Sequence, residues 1–179
     1  MPVIELQPFA RTDFERLIGW IPSADFMLQW SGPQFSYPLT VAQLEEYIRS
    51  AELSPPLRYI YKAVDSGSGR VVGHIELSMA GADSGTIARV LVGDPALRGQ
   101  GIGQQMVRCA VEVAFDALKL DSLHLSVFAF NRAALSCYQR LGFAIDRAPW
   151  RVYKFAGEDH VTYRMCLLRS AWQRTVRPV

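Results

Sequence analysis

Arg98-Gly99-Gln100-Gly101-Ile102-Gly103 is the stretch on which the fold of this chain turns. It follows an apolar run, Ile87 to Val92, and opens a strongly patterned helix. Glycines let successive backbone N–H groups face one point, and a helix N-terminus adds partial positive charge. Strand, turn and helix start together form a cradle for a phosphate or pyrophosphate. Two nucleotide patterns fit it poorly. A P-loop places a lysine and then Ser/Thr after its last glycine, whereas Gln104-Gln105 follows Gly103 here. A dinucleotide fingerprint sits early in a parallel βαβ unit, with an acidic residue at the end of the next strand. Here the spacing is Gly99-x-Gly101-x-Gly103, and an antiparallel meander precedes it. A plain tight turn before a helix is the alternative that needs no ligand.

Working outward, the 179 residues suit one domain spanning 1–179, since domains commonly hold about 100–200 residues. Half of them are hydrophobic, which argues against disorder. The net charge is +2 and there is no long basic block, so nucleic acid is not the expected partner. Cys109, Cys137 and Cys166 are an odd, scattered set without CxxC or Cys/His spacing. Neither a disulfide framework nor a metal site is indicated. The start, Met1-Pro2-Val3-Ile4-Glu5, is not a signal peptide, and no apolar run reaches the ~18 residues of a membrane span. A reduced cytoplasm, with no membrane partner, is the expected location.

The spacing predicts a strand over Val3–Leu6 and a helix over Thr12–Trp20, with Thr12 and Glu15 at capping-box spacing. Ile21–Leu39 reads as an irregular, aromatic segment. Thr40 caps a helix running to about Ser50. Leu57–Val64 and Val71–Ser78 flank the hairpin turn Asp65-Ser66-Gly67-Ser68-Gly69. After a turn at Gly81–Gly85, Ile87–Val92 completes the meander, and its apolar character predicts a strand covered on both faces. Gly101–Leu118 has helical periodicity, and Ser122–Phe128 alternates as a strand. Asn131 is placed to cap a helix over Arg132–Leu141, with Gly142 just past its end. Phe143–Phe155 and Val161–Leu168 form a closing antiparallel pair around Ala156-Gly157-Glu158-Asp159. The fold class is α/β: a mixed, mostly antiparallel twisted sheet flanked by helices.

The stretch from Val90 through Gly103 resembles the acyl-CoA signature of the GCN5-related N-acetyltransferases (GNAT), whose core pattern is Gln/Arg-x-x-Gly-x-Gly/Ala. Arg98, Gly101 and Gly103 meet it. A second match lies downstream: Asn131 to Phe143 is similar to the family's Asn-x-x-Ala-x-x-x-Tyr-x-x-x-Gly-Phe segment through Asn131, Ala134, Tyr138, Gly142 and Phe143. Trp20, Trp30 and the proline-rich segment also resemble the ribosomal-protein and aminoglycoside acetyltransferase branches.

The resemblance implies an acyl-CoA N-acyltransferase fold and acetyl-CoA as co-substrate, with no metal. Backbone groups of Leu91, Val92 and Gly93 would pair with the pantetheine amides. The amides of Gly99, Gln100, Gly101, Ile102, Gly103 and Gln104 would hold the pyrophosphate, with Arg98 as a charged contact or a solvated turn residue. Asn131, Ala134 and Tyr138 belong to the same donor site. Tyr138 also stands where the family's general acid lies, and a phenol can protonate a leaving thiolate.

An amine acceptor, whose free pKa is about 10, must lose a proton before attack. The residues leave that base open among Glu76, His124 and water. Cys137 reads as a small packing residue, because direct transfer needs no covalent nucleophile. Trp30, Phe35 and Tyr37 are the expected acceptor wall, able to hold a cationic amine by cation–π contact, with a core cluster under a loop as the alternative. The expected activity is acetyl transfer from acetyl-CoA to a primary amine, on a small molecule or a protein N-terminus, by direct attack in a ternary complex. A non-catalytic acyl-CoA-binding sensor is the alternative. The C-terminal strands offer a surface for a homodimer.

Overall fold

Side-chain caps start three of the α-helices among the described residues. In the computed structural model, which describes residues 2–155 and 157–176, the Thr40 hydroxyl accepts from Gln43 N–H at 3.3 Å and starts α3 (Val41–Arg49). The Asn131 side-chain oxygen accepts from Ala134 N–H at 3.1 Å and starts α5 (Arg132–Arg140). Ser23 caps α2 (Ala24–Ser31) in the same way.

That last helix corrects the sequence-based expectation of an irregular segment over 21–39. Prolines and a glycine flank α2 at both ends, and they mask Met27 and Trp30, which it buries. Thr12 does not cap either. A 3-10 turn (Arg11–Asp13) leads into α1 (Phe14–Gly19), and Asp13 takes the acceptor role, receiving Ala10 N–H at 3.0 Å.

The strands are β1 (Ile4–Pro8), β2 (Arg58–Asp65), β3 (Val71–Met79), β4 (Ser84–Val92), β5 (Ser122–Phe128), β6 (Ala144–Phe155) and β7 (Glu158–Leu168). They form one mixed, mostly antiparallel sheet in the order β1-β2-β3-β4-β5-β7-β6. The parallel pairing joins Ser84–Thr86 of β4 to Ser122–His124 of β5. The Phe143–Phe155 expectation meets β6 closely; β7 begins three residues before the expected Val161, taking in Glu158 and Asp159 of the expected turn, while Ala156 of that turn lies outside the described residues. The expected Gly101–Leu118 helix is present as α4 (Ile102–Glu112), which continues as a π-helical turn over Val113–Ala117. A C-terminal helix, α6 (Arg169–Val176), was not foreseen.

The chain divides into two compact units. The first holds residues up to Ser78 together with Ala88–Ala110, and the second holds Met79–Ile87 together with the residues from Val111 onward. In the first unit, Phe14, Leu17, Met27, Leu44, Tyr47 and Ile60 belong to one buried cluster, contributed by α1–α3 and β2. In the second unit, Phe115, Leu123, Leu125, Met165 and Leu167 are fully or almost fully buried. Apolar burial of this kind, at about 25 cal/mol per Å², drives the packing of each unit.

The strand covered on both faces is β3, not β4. β3 is buried without a break from Val72 to Leu77, whereas β4 alternates between buried and half-buried residues. The sequence disguises this because β3 carries His74 and Glu76, polar residues that find partners inside the fold.

Candidate active site

The turn before α4 has the backbone that a cradle requires. Gly99 and Gly101 adopt φ +76° and +82°, a region that side chains other than glycine rarely enter. A Cβ on Gly99 would meet nothing within 4 Å, so conformation rather than crowding inside the chain calls for glycine there. Gln105 N–H donates to the Gly101 carbonyl at 3.0 Å and begins the helix. The N–H groups of Ile102, Gly103 and Gln104 therefore have no partner within the helix. Ile102 buries its side chain, so only its backbone is available to a ligand.

Arg98 does not project freely from the turn. Its Nε donates to the Val92 carbonyl at 3.2 Å and its Nη2 to the Gly93 carbonyl at 3.5 Å, while the guanidinium lies 5.2 Å from the Phe26 ring centre. It braces the end of β4 and engages two of the carbonyls expected to face the pantetheine. Carbonyl partners leave its charge intact. Arg98 lines a cleft of about 730 Å³ together with Arg16, Arg70, Trp20, Phe26 and Gly93. At Gly93 the Trp20 indole lies 2.0 Å from where a Cβ would sit, so the ring occupies the place of a side chain.

Beneath α2 and α3, β3 and β4 present a buried polar network. Glu76 is 1 % exposed. Its carboxylate accepts from the Tyr47 hydroxyl at 2.6 Å, pairs with Arg58 at 3.4 Å and forms an ion pair with Arg89. Glu76, one of the candidate bases, is thus buried and occupied by three donors. Tyr47 spends its only proton on Glu76, so His74 Nε2, 3.3 Å from the Tyr47 oxygen, must be the donor in that contact. His74 Nδ1 is then a buried acceptor without a partner. Burial, reinforced by the Arg89 charge, pushes the His74 pKa down to about 3, which keeps the imidazole neutral. Burial likewise raises the Tyr47 phenol well above its ordinary value, with the Glu76 charge adding to the shift.

The expected acceptor wall is divided. Trp30 and Phe35 stack with centroids 5.6 Å apart and planes 7° from parallel. The Arg89 guanidinium lies 5.5 Å from the Phe35 ring centre, so the cation–π position is filled from within the chain. Tyr37 is exposed, and its hydroxyl donates to the Pro22 carbonyl at 3.2 Å.

In the second unit, Asn131 uses its side-chain oxygen as a helix cap on Ala134 N–H. Tyr138 stands on α5, edge-on to Phe143 with ring centroids 6.1 Å apart. Burial raises its pKa above the ordinary phenol value, as does the neighbouring Cys137 to a lesser degree, so the phenol remains protonated at neutral pH. Burial also raises the Cys137 thiol, which is the opposite of nucleophile activation. His124 on β5 is lowered by partial burial and by the Arg164 guanidinium, and so is neutral near pH 7. Among the described residues no group of three or more His, Cys, Asp or Glu is placed to hold a metal ion. Nor is any helix long and apolar enough to cross a membrane.

A family model described as acetyltransferase (GNAT) matches residues 24–143, which include both the glycine turn and the Asn131–Phe143 segment. The chain belongs to the GNAT acetyltransferase family. It is an acyl-CoA-dependent N-acetyltransferase. Spermidine N(1)-acetyltransferase of Escherichia coli K12 is 20% identical over 169 residues, covering 94% of this chain and 88% of that protein. Aminoglycoside N(6′)-acetyltransferase type 1 of Serratia marcescens is 23% identical over 188 residues, covering 97% and 87%. Among solved structures, the spermidine N-acetyltransferase of Vibrio cholerae in complex with CoA and spermine superposes with a TM-score of 0.82. It is 20% identical, with 96% of this chain and 98% of that chain covered, and it establishes likeness of fold.

The residues of this GNAT protein that sequence reasoning missed are Arg89, Tyr47, Arg58 and His74. The available signal was a charged residue, Arg89, inside the apolar run Ile87–Val92. A second was His74 and Glu76 at i, i+2, the spacing that puts both on one face of a strand.

Proposed function

We propose that this GNAT protein moves the acetyl group of acetyl-CoA to the primary amine of a small molecule, by direct attack in a ternary complex. The observation that carries the proposal is the left-handed pair Gly99 and Gly101 just before α4, the backbone that an anion cradle in the acyl-CoA signature calls for, within the residues the family model matches. In this proposal the amides from Gly99 to Gln104 hold the pyrophosphate, and the arginine-lined cleft beside them adds positive potential. Backbone groups of Leu91, Val92 and Gly93 align the pantetheine. Asn131 and Ala134 set the start of the helix that carries Tyr138.

The amine nitrogen bonds to the acyl carbon, the carbon–sulfur bond breaks, and the Tyr138 phenol gives its proton to the departing thiolate. The amine gives one proton to water or to His124, neutral near pH 7, before attack, and the second proton it loses on bonding to the acyl carbon replaces the one given up by Tyr138. Glu76, committed to three donors, acts on structure instead.

Relatives named for spermidine and aminoglycosides make small polyamines and aminosugars the first acceptors to test, with protein N-termini next. Exposed Ile145 and Val152 on β6 support a dimer through the C-terminal strands. The test is thiol release from acetyl-CoA over spermidine, an aminoglycoside and a peptide with a free N-terminus. Release with at least one amine is expected. CoA binding without release to any amine would replace the enzyme by an acyl-CoA sensor.

A further inference from the structure

Strand β6 carries more chain than its partner matches. From Ile145 to Arg151 it advances six residues while β7 advances three, from Met165 to Thr162. Extra residues of this kind form bulges, and bulges re-aim side chains. Here they gather positive charge. The guanidinium carbons of Arg147, Arg151 and Arg164 lie 5.4, 5.2 and 4.9 Å from the centre of the Trp150 ring. Arg164 has a carboxylate of its own, Asp146, which its Nε and Nη2 grip together. Among the described residues Arg147 and Arg151 have no carboxylate at ion-pair distance, and both are exposed. Three cations around one indole, with one carboxylate among them, leave an unbalanced positive patch.

The patch shares a face of the sheet with His124. Arg147 stands opposite Arg164 of β7, and Arg164 stands opposite Ser126 of β5. Ser126 is exposed, and His124, two residues before it, is on the same face. The imidazole feels the patch: after partial burial, the Arg164 charge is what lowers its pKa, and Asp146 opposes the shift. The ladder that joins β5 to Ser84–Thr86 ends at His124. Neighbouring strands are about 4.8 Å apart, so an anion on Arg147 would sit about 10 Å across the sheet from β5.

We propose that Arg147 and Arg151, held around Trp150, form an acceptor subsite for a carboxylate, and that the acceptor is an amine with a carboxylate about 10 Å away. This rests on the proposed function, in which His124 can take the amine proton. The grip of Arg164 on Asp146 shows the fork that a guanidinium offers a carboxylate. The Trp150 ring holds the other two guanidinium groups ready for the same contact. A polyamine would bring more positive charge to this face, and repulsion selects against it. In this respect the chain departs from its relatives named for spermidine.

Triglycine spans about 10 Å when extended and ends in a carboxylate, whereas triglycinamide lacks that charge. Thiol release from acetyl-CoA is measured with each of them and with spermidine. The unaltered protein should use triglycine about 5- to 10-fold better than triglycinamide in kcat/KM, the scale of an exposed guanidinium–carboxylate contact, and spermidine least well. Arg147→Gln/Arg151→Gln should bring the preference for triglycine close to one. Arg147→Lys/Arg151→Lys should keep part of it, which separates lost charge from a damaged fold. Equal use of triglycine and triglycinamide by the unaltered protein would overturn the proposal. So would spermidine as the best of the three, or a preference that survives in the glutamine variant. Failure of the proposed function shows separately, as no thiol release to any amine. The subsite is then read by calorimetry with CoA present. Triglycine binding that the glutamine variant loses supports it; no triglycine binding, or equal binding of triglycinamide, overturns it.

Discussion

The Glu76 carboxylate and the Arg89 guanidinium form an ion pair with 2% and 5% of their side chains exposed. A pair this deep has lost its hydration, and each ion depends on the other and on Tyr47 and Arg58 for compensation. Removing one partner leaves an uncompensated buried charge. Glu76→Leu should therefore cost about 3–5 kcal/mol of stability, measured by urea unfolding. The double variant Glu76→Leu/Arg89→Met should recover part of that loss. Equal stability of single and double variants would show that the pair is not coupled as described.

The indole of Trp20 against Gly93 makes a second prediction. A methyl group at position 93 would sit 2.0 Å from the ring, with the main chain on one side and a large rigid side chain on the other. Gly93→Ala should destabilise the first unit by about 1–3 kcal/mol, the usual cost of overpacking. Trp20→Leu in the same chain should relieve most of the strain. Thermal unfolding of the two variants checks this, and a neutral Gly93→Ala would show that the ring moves aside freely.

His74 makes stability depend on pH. Its folded pKa, about 3, is below the ordinary 6.5, so the unfolded chain binds the proton first as the pH falls. The contribution is complete above 6.5 and is lost progressively as the pH falls from 6.5 towards 3. Between pH 6.5 and 5 this amounts to about 2 kcal/mol, at about 1.4 kcal/mol per pH unit. His124, also lowered, adds a contribution of the same sign. Denaturant titrations at the two pH values should show this loss, and His74→Gln should remove most of it. A variant with the same acid sensitivity as the parent would place the titration elsewhere.

Tyr138→Phe removes the proposed acid and leaves the ring that packs against Phe143. The kcat for thiol release should fall by about 10²–10⁴-fold, with the affinity for CoA retained. If kcat is unchanged with a good amine, the leaving thiolate takes its proton from solvent.

Gly101→Ala tests the cradle. At φ +82° an alanine pays for a left-handed backbone, roughly 1–2 kcal/mol, or the turn rearranges. Either way the N–H groups lose their common focus, and the KM for acetyl-CoA should rise while the amine KM holds. A normal acetyl-CoA KM would move the pyrophosphate away from this turn.

Much of the fold was legible because its signals are local. Thr40 and Asn131 cap the helices their spacing foretold, and β5 has the bounds its alternation implied. The helix α2 escaped because Pro22, Gly32 and Pro33 crowd its ends and because its stripe is only two turns long. The covering of β3 escaped because periodicity counts His74 and Glu76 as polar and cannot see that Tyr47, Arg58 and Arg89 satisfy Glu76 or that His74 bonds Tyr47.

By itself the sequence determined the glycine turn, the Asn131–Tyr138 segment, the fold class and the acetyl-CoA family, because each is written in residues close together along the chain. Only the tertiary structure shows what Glu76, Trp30, Phe35 and Arg98 touch. Arg98, read as a charged contact or a solvated turn residue, donates to the carbonyls of Val92 and Gly93, and Glu76, one of the candidate bases, is paired with Arg89. These roles depend on which groups share a buried space. Trp30 and Arg89 are 59 residues apart, and nothing in the composition of either neighbourhood foretells a hydrogen bond between them.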